Sequence, residues 1–370
     1  MLKKLINECL FTLQLVTEGP LLIKSGYATP HGSDMTPVLT YRNGQEQVYI
    51  PGTSLKGVFR SHIEKVIRSF NEEIVCLPYK KADRNLDEKD YLQVFCGNRF
   101  ELRKKKEKET TIEDRQGAKY RIANQDLDPE NPEEMNPTVY KDSCPACRLF
   151  GSTYFTGRIS INDAYLSNLG ERQRMTQFIE TRDGVAIDRF TGGAATESGA
   201  LFNLDVVQAG VTFETKIYLR NFEIWQLGAL MLLIKDIEDG IIQIGSGKSR
   251  GLGKVKGKIE SVTIQYLKPL VCNELKKEIW GLGKFMSQSE SEDYGTIEND
   301  LLNLGIEVPG ISEGIRWKQV FKDDNEHKSL SMLIEKAIAA FVEHIQNWPV
   351  PDRMKVQNLG LKKYGRDELQ

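Results

Sequence analysis

The amino-acid sequence predicts an α+β protein whose core follows the order β-α-β-β-α-β, which is the split βαβ or ferredoxin-like arrangement. One segment repeats apolar residues at the 3.6-residue period of helices, a second is strongly apolar over the length of a helix, and four others have the pattern of strands. Charge-rich stretches without periodicity interrupt this order and predict insertions. The 370 residues are enough for two domains, or for one domain with large insertions.

The first half of the predicted core is a strand, a loop and a helix. Residues 10–24 alternate apolar and polar side chains and run into a Gly-Pro break, which predicts a strand. A polar loop with several glycines follows. Apolar residues from Leu55 to Phe70 then recur at helical spacing, which predicts a helix that begins in the stretch PGTSLKGVFR.

The second half supplies the remaining elements. Strand patterns occupy residues 157–166, 206–221 and 253–267. Residues 223–240 are strongly apolar and predict a helix that Gly240 ends. RNA-recognition domains share this order of elements, so the predicted core is also RRM-like.

Three regions depart from the core pattern. Residues 71–156 are rich in charge and proline and predict an insertion. Residues 171–207 have short strand-like pieces around a Gly-Gly tip, and so long an excursion is costly unless it contacts something. Residues 271–370 predict a mainly helical C-terminal extension to a core domain of residues 1–267.

The composition predicts a cytoplasmic globular protein. The chain is 40% hydrophobic, and we expect no membrane association because no stretch reaches the ~18 apolar residues of a membrane span. The N-terminus has no small-residue cleavage site. The net charge of −2 and the pI of about 6.2 exclude a basic field over the whole surface, so a polyanion would have to bind local clusters of cations.

The cysteines favour a metal site over disulfides in a cytoplasmic protein. Cys144 and Cys147 form a C-x-x-C pair in a turn, and this spacing lets two thiolates reach one tetrahedral zinc ion. Cys76 and Cys96 lie upstream in the same insertion and complete a predicted structural Zn²⁺ site. A redox pair or two buried thiols are the alternatives. The other two cysteines are predicted to be core or surface thiols.

Two glycine-rich stretches carry the residue types that bind phosphate. The helix start supplies Gly52, Thr53, Ser54, Lys56 and Arg60. The stretch GSGKSRGLGKVKG matches neither a Walker A loop nor a dinucleotide fingerprint. It supplies Gly247, Lys248, Ser249 and Arg250. A glycine-rich turn with solvated cations is the alternative, but the presence of both stretches favours an anion site.

The loop after the first strand contains two further candidates. His31 and Asp34 lie in the stretch HGSDMTPV. A single acid in a glycine-rich loop is usually an Asx-turn or a solvated charge, so the residues alone leave a catalytic role open.

Together these stretches resemble the RAMP superfamily of CRISPR-associated proteins, in particular the repeated backbone subunit of type III CRISPR effector complexes. The resemblance covers roughly residues 10–267. Four stretches carry it in the family's order: YIPGTSLKGVFRS, CRLFGS, AIDRFTGGA and GSGKSRGLGKV. The long insertion and the C-terminal extension have no counterpart in the plain backbone subunit and favour a variant system such as subtype D.

The resemblance implies that the chain binds guide RNA in an antiviral ribonucleoprotein complex with other subunits. The helix start and the glycine-rich stretch would hold guide phosphates, which positions RNA without reading its sequence. Residues 171–207 would form a β-hairpin thumb that displaces bases from the guide–target duplex, with Arg182, Arg189 and Thr191 as further RNA contacts.

The resemblance also implies an activity on target RNA. In the family, an aspartate followed closely by Pro-Val cuts the target opposite each displaced base, and Asp34 stands at that position. The implied activity is a metal-dependent endoribonuclease that uses Mg²⁺ or another divalent ion, with Asp34 essential and His31 a helper. The alternatives are a non-catalytic structural RNA-binding subunit and a guide-processing nuclease with a catalytic histidine.

Overall fold

The protein is described by a computed structural model with mixed α+β architecture, in which helices pack on one large antiparallel sheet. The structure describes residues 4–26, 33–42, 44–77, 96, 111–113, 119–121, 140–141, 143–152, 155–167, 177–195, 201–267, 273–325 and 328–349. Most of the predicted insertion and the last 21 residues lie outside these ranges.

Five α-helices lie in the described part of the chain. They are α1 Gly52–Phe70, α2 Pro145–Phe150, α3 Ile224–Glu238, α4 Gln288–Tyr294 and α5 Ser329–Gln346. Short 3₁₀ turns occupy Glu72–Ile74, Lys248–Arg250, Asn273–Lys276 and Leu282–Phe285. No helix in the described ranges is long and apolar enough to cross a membrane.

The strands are mostly short, apart from β1 and β12. They are β1 Asn7–Thr17, β2 Leu39–Arg42, β3 Gln45–Ile50, β4 Thr111–Glu113, β5 Lys119–Arg121, β6 Gly151–Ser152, β7 Phe155–Thr156, β8 Ile159–Ile161, β9 Ala164–Leu166, β10 Ile179–Val185, β11 Leu201–Val207, β12 Thr212–Arg220, β13 Val255–Ile259, β14 Val262–Leu267, β15 Glu278–Trp280, β16 Leu301–Asn303, β17 Gly310–Glu313 and β18 Arg316–Phe321.

The large sheet has ten strands, with the path β17-β18-β14-β1-β12-β9-β3-β2 and with β13 and β8 added on β1 and β12. The long pair β1–β12 lies at its centre, with Leu13 opposite Thr215. Every second residue of β1 is buried, because one face of the strand packs into the core. The predicted strand-helix order of the chain therefore builds one sheet with its helices packed against it.

Helix α3 is buried on nearly all sides because it packs between the sheet and α5. A Cβ atom on Gly257 of β13 would lie 2.6 Å from Ile237 of α3. A Cβ atom on Gly228 of α3 would lie 2.0 Å from the carbonyl oxygen of Ala337 in α5. Glycine at these two positions permits the close approach on both sides.

The C-terminal region differs from the expected mainly helical extension. It contains α5, but it also contributes β17 and β18 to the large sheet, where Thr263 of β14 pairs with Val320 of β18. The stretch RWKQVF of β18 has charged residues among its apolar ones. Because β18 buries only Gln319 and Phe321, one polar and one apolar residue, this stretch lacks the alternation of apolar and polar residues that predicts a strand.

Candidate functional site

A cleft of about 590 Å³ separates the start of α1 from the glycine-rich loop after α3. Helix α1 lines one wall with Ser54, Gly57, Ser61, His62 and Lys65, and the loop lines the other with Gly245, Ser246 and Lys248. Lys24 lies at the same cleft. The two predicted phosphate-binding stretches therefore face each other across one open space.

The net charge of the side chains that line this cleft is positive. Partial loss of hydration beside the cleft lowers the pKa of Lys248, and the nearby positive charge of Lys65 lowers it further. At the edge of the cleft, Nε2 of His62 lies 2.5 Å from Oδ2 of Asp236, and this pair ties α1 to α3. The cations supply the local cluster that an anion requires in a chain with a net charge of −2.

The glycines of the loop are explained by its backbone. Gly245 and Gly247 have φ angles of +83° and +73°, a left-handed conformation that favours glycine. A Cβ atom on Gly245 would also lie 2.4 Å from the carbonyl oxygen of Leu22. The loop then turns through Lys248–Arg250, whose side chains are exposed. The guanidinium of Arg250 lies 5.9 Å from the ring centre of Phe202 in β11.

Residues at the start of α1 line two different clefts, the first cleft and a second, smaller one. Thr53 and Lys56 line a cleft of about 350 Å³ together with Arg220. The Lys56 ammonium donates to the carbonyl oxygen of Ile159 at 3.2 Å, and burial followed by the charge of Arg60 lowers its pKa. Of the predicted ligands at the helix start, Ser54 faces the first cleft.

Two glycines of α1 have different structural roles. A Cβ atom on Gly52 would lie 2.3 Å from the carbonyl oxygen of Ile161, and the Gly52 N–H donates to Oδ1 of Asp163 at 2.8 Å. Gly52 therefore serves the packing of α1 on β8. A Cβ atom on Gly57 would meet nothing within 4 Å, and Gly57 lines the first cleft. Packing does not explain this glycine, which sequence reasoning missed.

Arg60 lines neither of these two clefts. Its Nε donates to Oε1 of Glu64 at 2.8 Å, and its Nη1 donates to the carbonyl oxygen of Gly151 at 3.0 Å. Its Nη2 lies 3.2 Å from Sγ of Cys147. The structure thus places this predicted phosphate ligand against a cluster of cysteines.

The four cysteines of the predicted metal site lie together in the structure. Their sulfur atoms all lie within 4.8 Å of one another, and all four side chains are buried. Cys76 Sγ lies 3.6 Å from Cys147 Sγ and 3.5 Å from Cys144 Sγ. A disulfide would require about 2.05 Å. Four thiolates around zinc, each at about 2.3 Å, would be about 3.8 Å apart, so the cluster can hold a metal ion such as zinc.

Local structure explains how the cluster forms. Cys144 caps helix α2, because its Sγ accepts the N–H of Cys147 at 3.4 Å. The backbone N–H of Cys144 donates to Sγ of Cys96 at 3.3 Å. The C-x-x-C turn therefore presents two thiols on the first turn of α2, and the two upstream cysteines close over them.

Strands β10 and β11 form a hairpin, and the loop that carries Asp34 runs beside it. The hairpin extends from the pair Ile179–Val207 to the pair Val185–Leu201. Met35 bridges to Leu204 in parallel orientation, so this loop acts as a short third strand. Oδ2 of Asp34 accepts the N–H of Asn203 at 2.9 Å.

The Asp34 side chain is exposed beside the hairpin. Within the described ranges, the cysteines are the only group of three or more His, Cys, Asp or Glu side chains close enough to share one ion. The structure therefore gathers no such cluster around Asp34 in those ranges. His31, the predicted helper, lies outside the described residues.

The tip of the hairpin is an ordered turn. Oδ1 of Asp188 accepts the N–H groups of Phe190 and Thr191 at 2.6 and 3.2 Å. Arg189 and Thr191 are exposed there, and the Phe190 ring is fully exposed. Arg182 lies lower on β10 and pairs with Glu180 at 2.6 Å. Sequence reasoning missed Phe190, because an aromatic residue in a loop gives no sign of its exposure.

Comparison with known families gives one result that covers these features. Residues 14–256 match a family model described as the RAMP superfamily. A search of curated proteins found no match. The matched range is more than half of the chain and includes both glycine-rich stretches, the hairpin and the four clustered cysteines.

Proposed function

The chain belongs to the RAMP superfamily, whose members are generally CRISPR-associated RNA-binding proteins, and from this premise we propose that it is a guide-RNA-binding backbone subunit of a type III CRISPR effector complex. One observation carries the proposal: the two glycine-rich stretches line opposite walls of one positively charged cleft. The proposed partners are guide RNA, target RNA and other subunits of the complex, and the proposed location is the cytoplasm.

The first cleft suits a polynucleotide backbone. Lys65 and Lys248 would neutralise phosphates, and the hydroxyls of Ser54 and Ser246 would donate hydrogen bonds to phosphate oxygens. The absence of a side chain at Gly57 lets the RNA backbone approach the helix closely. Such contacts hold RNA of any sequence, which suits a protein that leaves recognition to base pairing.

The strand order supports a ferredoxin-like core. Taken from one side, the central strands are β13 and β14, then β1, β12, and β8 and β9, with α1 and α3 as the two crossover helices. This is the antiparallel split βαβ arrangement, and we assign the core to it. The insertion and the C-terminal strands then extend that core in the proposed subtype D variant.

We assign the β10–β11 hairpin to the thumb. Phe190 is a fully exposed ring on a turn that Asp188 holds in place, and aromatic rings stack on bases of any sequence. Arg189 next to it would bind a phosphate. A hydrogen-bonded tip with one aromatic side chain and one cation suits insertion between bases of a guide–target duplex.

We propose that Asp34 takes part in cleavage of target RNA beside the displaced base. The 2′-hydroxyl of the RNA gives up its proton to solvent as its oxygen attacks the adjacent phosphorus, the bond to the 5′-oxygen breaks, and the departing 5′-oxygen takes a proton from water, which leaves a 2′,3′-cyclic phosphate and a 5′-hydroxyl. A divalent ion such as Mg²⁺ would supply stabilisation of the charge that develops. The exposed Asp34 carboxylate, bonded to β11 through Asn203, would orient this chemistry beside the thumb.

The test is cleavage of a labelled guide-complementary RNA by the assembled complex with Mg²⁺. We expect Asp34→Ala to retain the guide and to lose cleavage by about 100-fold or more. Asp183→Ala is the matched control, because Asp183 is an exposed carboxylate on the hairpin beside the Asp34 loop, and it should cut like the wild type. Identical cleavage by the Asp34 variant would assign the chain to the non-catalytic structural class.

We also propose that the cysteine cluster binds a structural zinc ion. The donor set of four buried thiols, without an open position for substrate, is typical of structural rather than catalytic zinc. The ion would join helix α2 to the segments that carry Cys76 and Cys96. Elemental analysis of protein purified without chelator should give close to one zinc per chain, and a value near zero would refute this assignment.

A further inference from the structure

We propose that Arg60 is a positioning residue of the metal site, where its guanidinium balances the charge of the cysteine thiolates, and that it does not bind an RNA phosphate. This inference rests on the proposed zinc site. It reverses the role that the helix-start stretch implies for Arg60, while the phosphate-binding role of the cleft stays with the other cations.

The charge of the cluster requires a cation. Four thiolates around one divalent ion leave roughly two negative charges in excess. The four cysteines are at most 4% exposed, and burying a charge is costly unless it is paired and hydrogen-bonded. The Arg60 guanidinium reaches within 3.2 Å of Cys147 Sγ and supplies both a positive charge and an N–H donor.

The geometry of Arg60 also fixes the helix that carries two of the ligands. Its Nη1 bonds the carbonyl oxygen of Gly151, the residue that ends α2, while its Nη2 contacts Cys147 within α2. A planar guanidinium can make these contacts at once, whereas the single ammonium of lysine cannot reproduce the fork. Arg60 therefore holds α2 at two points against α1.

Neighbouring residues on α1 belong to the same arrangement. Glu64 is buried and accepts from Arg60 at 2.8 Å, and it also lies 3.6 Å from Arg68. Nη2 of Arg68 donates to the carbonyl oxygen of Cys76 at 2.8 Å. Positions i, i+4 and i+8 thus form one stripe of α1 against the cluster. Arginine keeps its positive charge over the whole pH range of proteins, so the guanidinium is a permanent cation beside the cluster.

Two measurements separate a metal-positioning role from a phosphate contact. The first is zinc affinity by competition with a chromogenic chelator, for the wild type, Arg60→Gln, Arg60→Lys and Lys65→Gln. The second is the dependence of single-stranded RNA affinity on salt, measured with zinc in excess. Each phosphate contact contributes about one unit to the slope of the logarithm of affinity against that of salt.

We expect Arg60→Gln to weaken zinc binding by about 10- to 100-fold and to leave the salt slope unchanged. Lys65→Gln should do the opposite, with wild-type zinc affinity and a slope reduced by about one. Arg60→Lys keeps the charge and should give an intermediate zinc affinity, and it provides the test if Arg60→Gln does not fold.

The inference is overturned if the Arg60 variants bind zinc as tightly as the wild type, or if Arg60→Gln reduces the salt slope like Lys65→Gln. A wild-type chain without zinc would instead refute the proposed metal, and this inference with it. The wild-type zinc content therefore tells a failure of the proposed function from a failure of the Arg60 assignment.

Discussion

The two sides of helix α1 use similar residues for different purposes. Towards the cysteines, Arg60 and Glu64 are bonded to protein partners and are largely or fully withdrawn from solvent. Towards the first cleft, Gly57, Ser61 and Lys65 line open space. Two cations only five positions apart thus meet different surroundings. The side of the helix on which a residue lies, more than its residue type, determines whether it stabilises the fold or is available to a ligand.

The largest expected effect comes from breaking the cysteine side. Cys147→Ser removes one proposed ligand, which is also one of the three groups bonded to Arg60, so it should abolish zinc binding. The free energy of unfolding should fall by about 4 kcal/mol or more, since loss of a metal is one of the few mechanisms with effects of that size. Elemental analysis and denaturant titration measure the two quantities.

The matched control for that variant is Cys9→Ala. Cys9 is a buried cysteine of β1 that lies outside the cluster. Its replacement should cost about 1 kcal/mol through a small cavity and leave the zinc content unchanged. Equal losses of stability and metal in both variants would contradict a specific site.

An intermediate effect is expected from the cleft side. The double variant Lys65→Gln, Lys248→Gln removes two cations that face each other, so RNA affinity at moderate salt should fall by roughly 10- to 100-fold. The salt slope should fall by about two, with zinc content and unfolding midpoint unchanged. Filter binding or fluorescence anisotropy over a series of salt concentrations provides the measurement.

Lys235→Gln controls for the loss of charge itself. Lys235 is exposed at the end of α3 and pairs with Asp239 at 3.1 Å, outside both clefts. It should leave the salt slope within error of the wild type. A drop as large as that of a cleft lysine would show that the RNA is held by general charge, without a defined cleft.

The smallest expected effect comes from Gly57→Ala, which should change the stability of the fold and the affinity for RNA in opposite directions. Gly57→Ala should raise the free energy of unfolding by about 0.5–1 kcal/mol, because alanine favours helix and its Cβ meets no atom. RNA affinity should fall a few-fold, because the methyl group enters the cleft. Thermal denaturation and RNA titration of one preparation give both values.

Gly52→Ala is the contrasting variant in the same helix. Its Cβ would lie 2.3 Å from the carbonyl oxygen of Ile161, so it should destabilise the fold by about 1–3 kcal/mol. A stabilised Gly57 variant with unchanged RNA affinity would mean that the RNA does not approach α1 closely.

The sequence supports a prediction of features that short spacing determines. The C-x-x-C pair of Cys144 and Cys147 predicts two convergent thiols, and the apolar period from Leu55 predicts α1. The role of Arg60 could not be predicted in this way, because it depends on which side of α1 the cysteine-bearing segments occupy. The pairing of Asp34 with Asn203 is equally hidden, since those residues are 169 positions apart.

The loop of Asp34 is bonded to β11 as a third strand, and this has a mechanical consequence. These bonds tie the Asp34 carboxylate to the hairpin, so we expect a hairpin that tilts to carry the carboxylate with it. In the proposed assembly of repeated copies, the spacing of the proposed cuts would follow the spacing of the hairpins. The Asp34 carboxylate and the hairpin tip would then keep the same relative position in every copy.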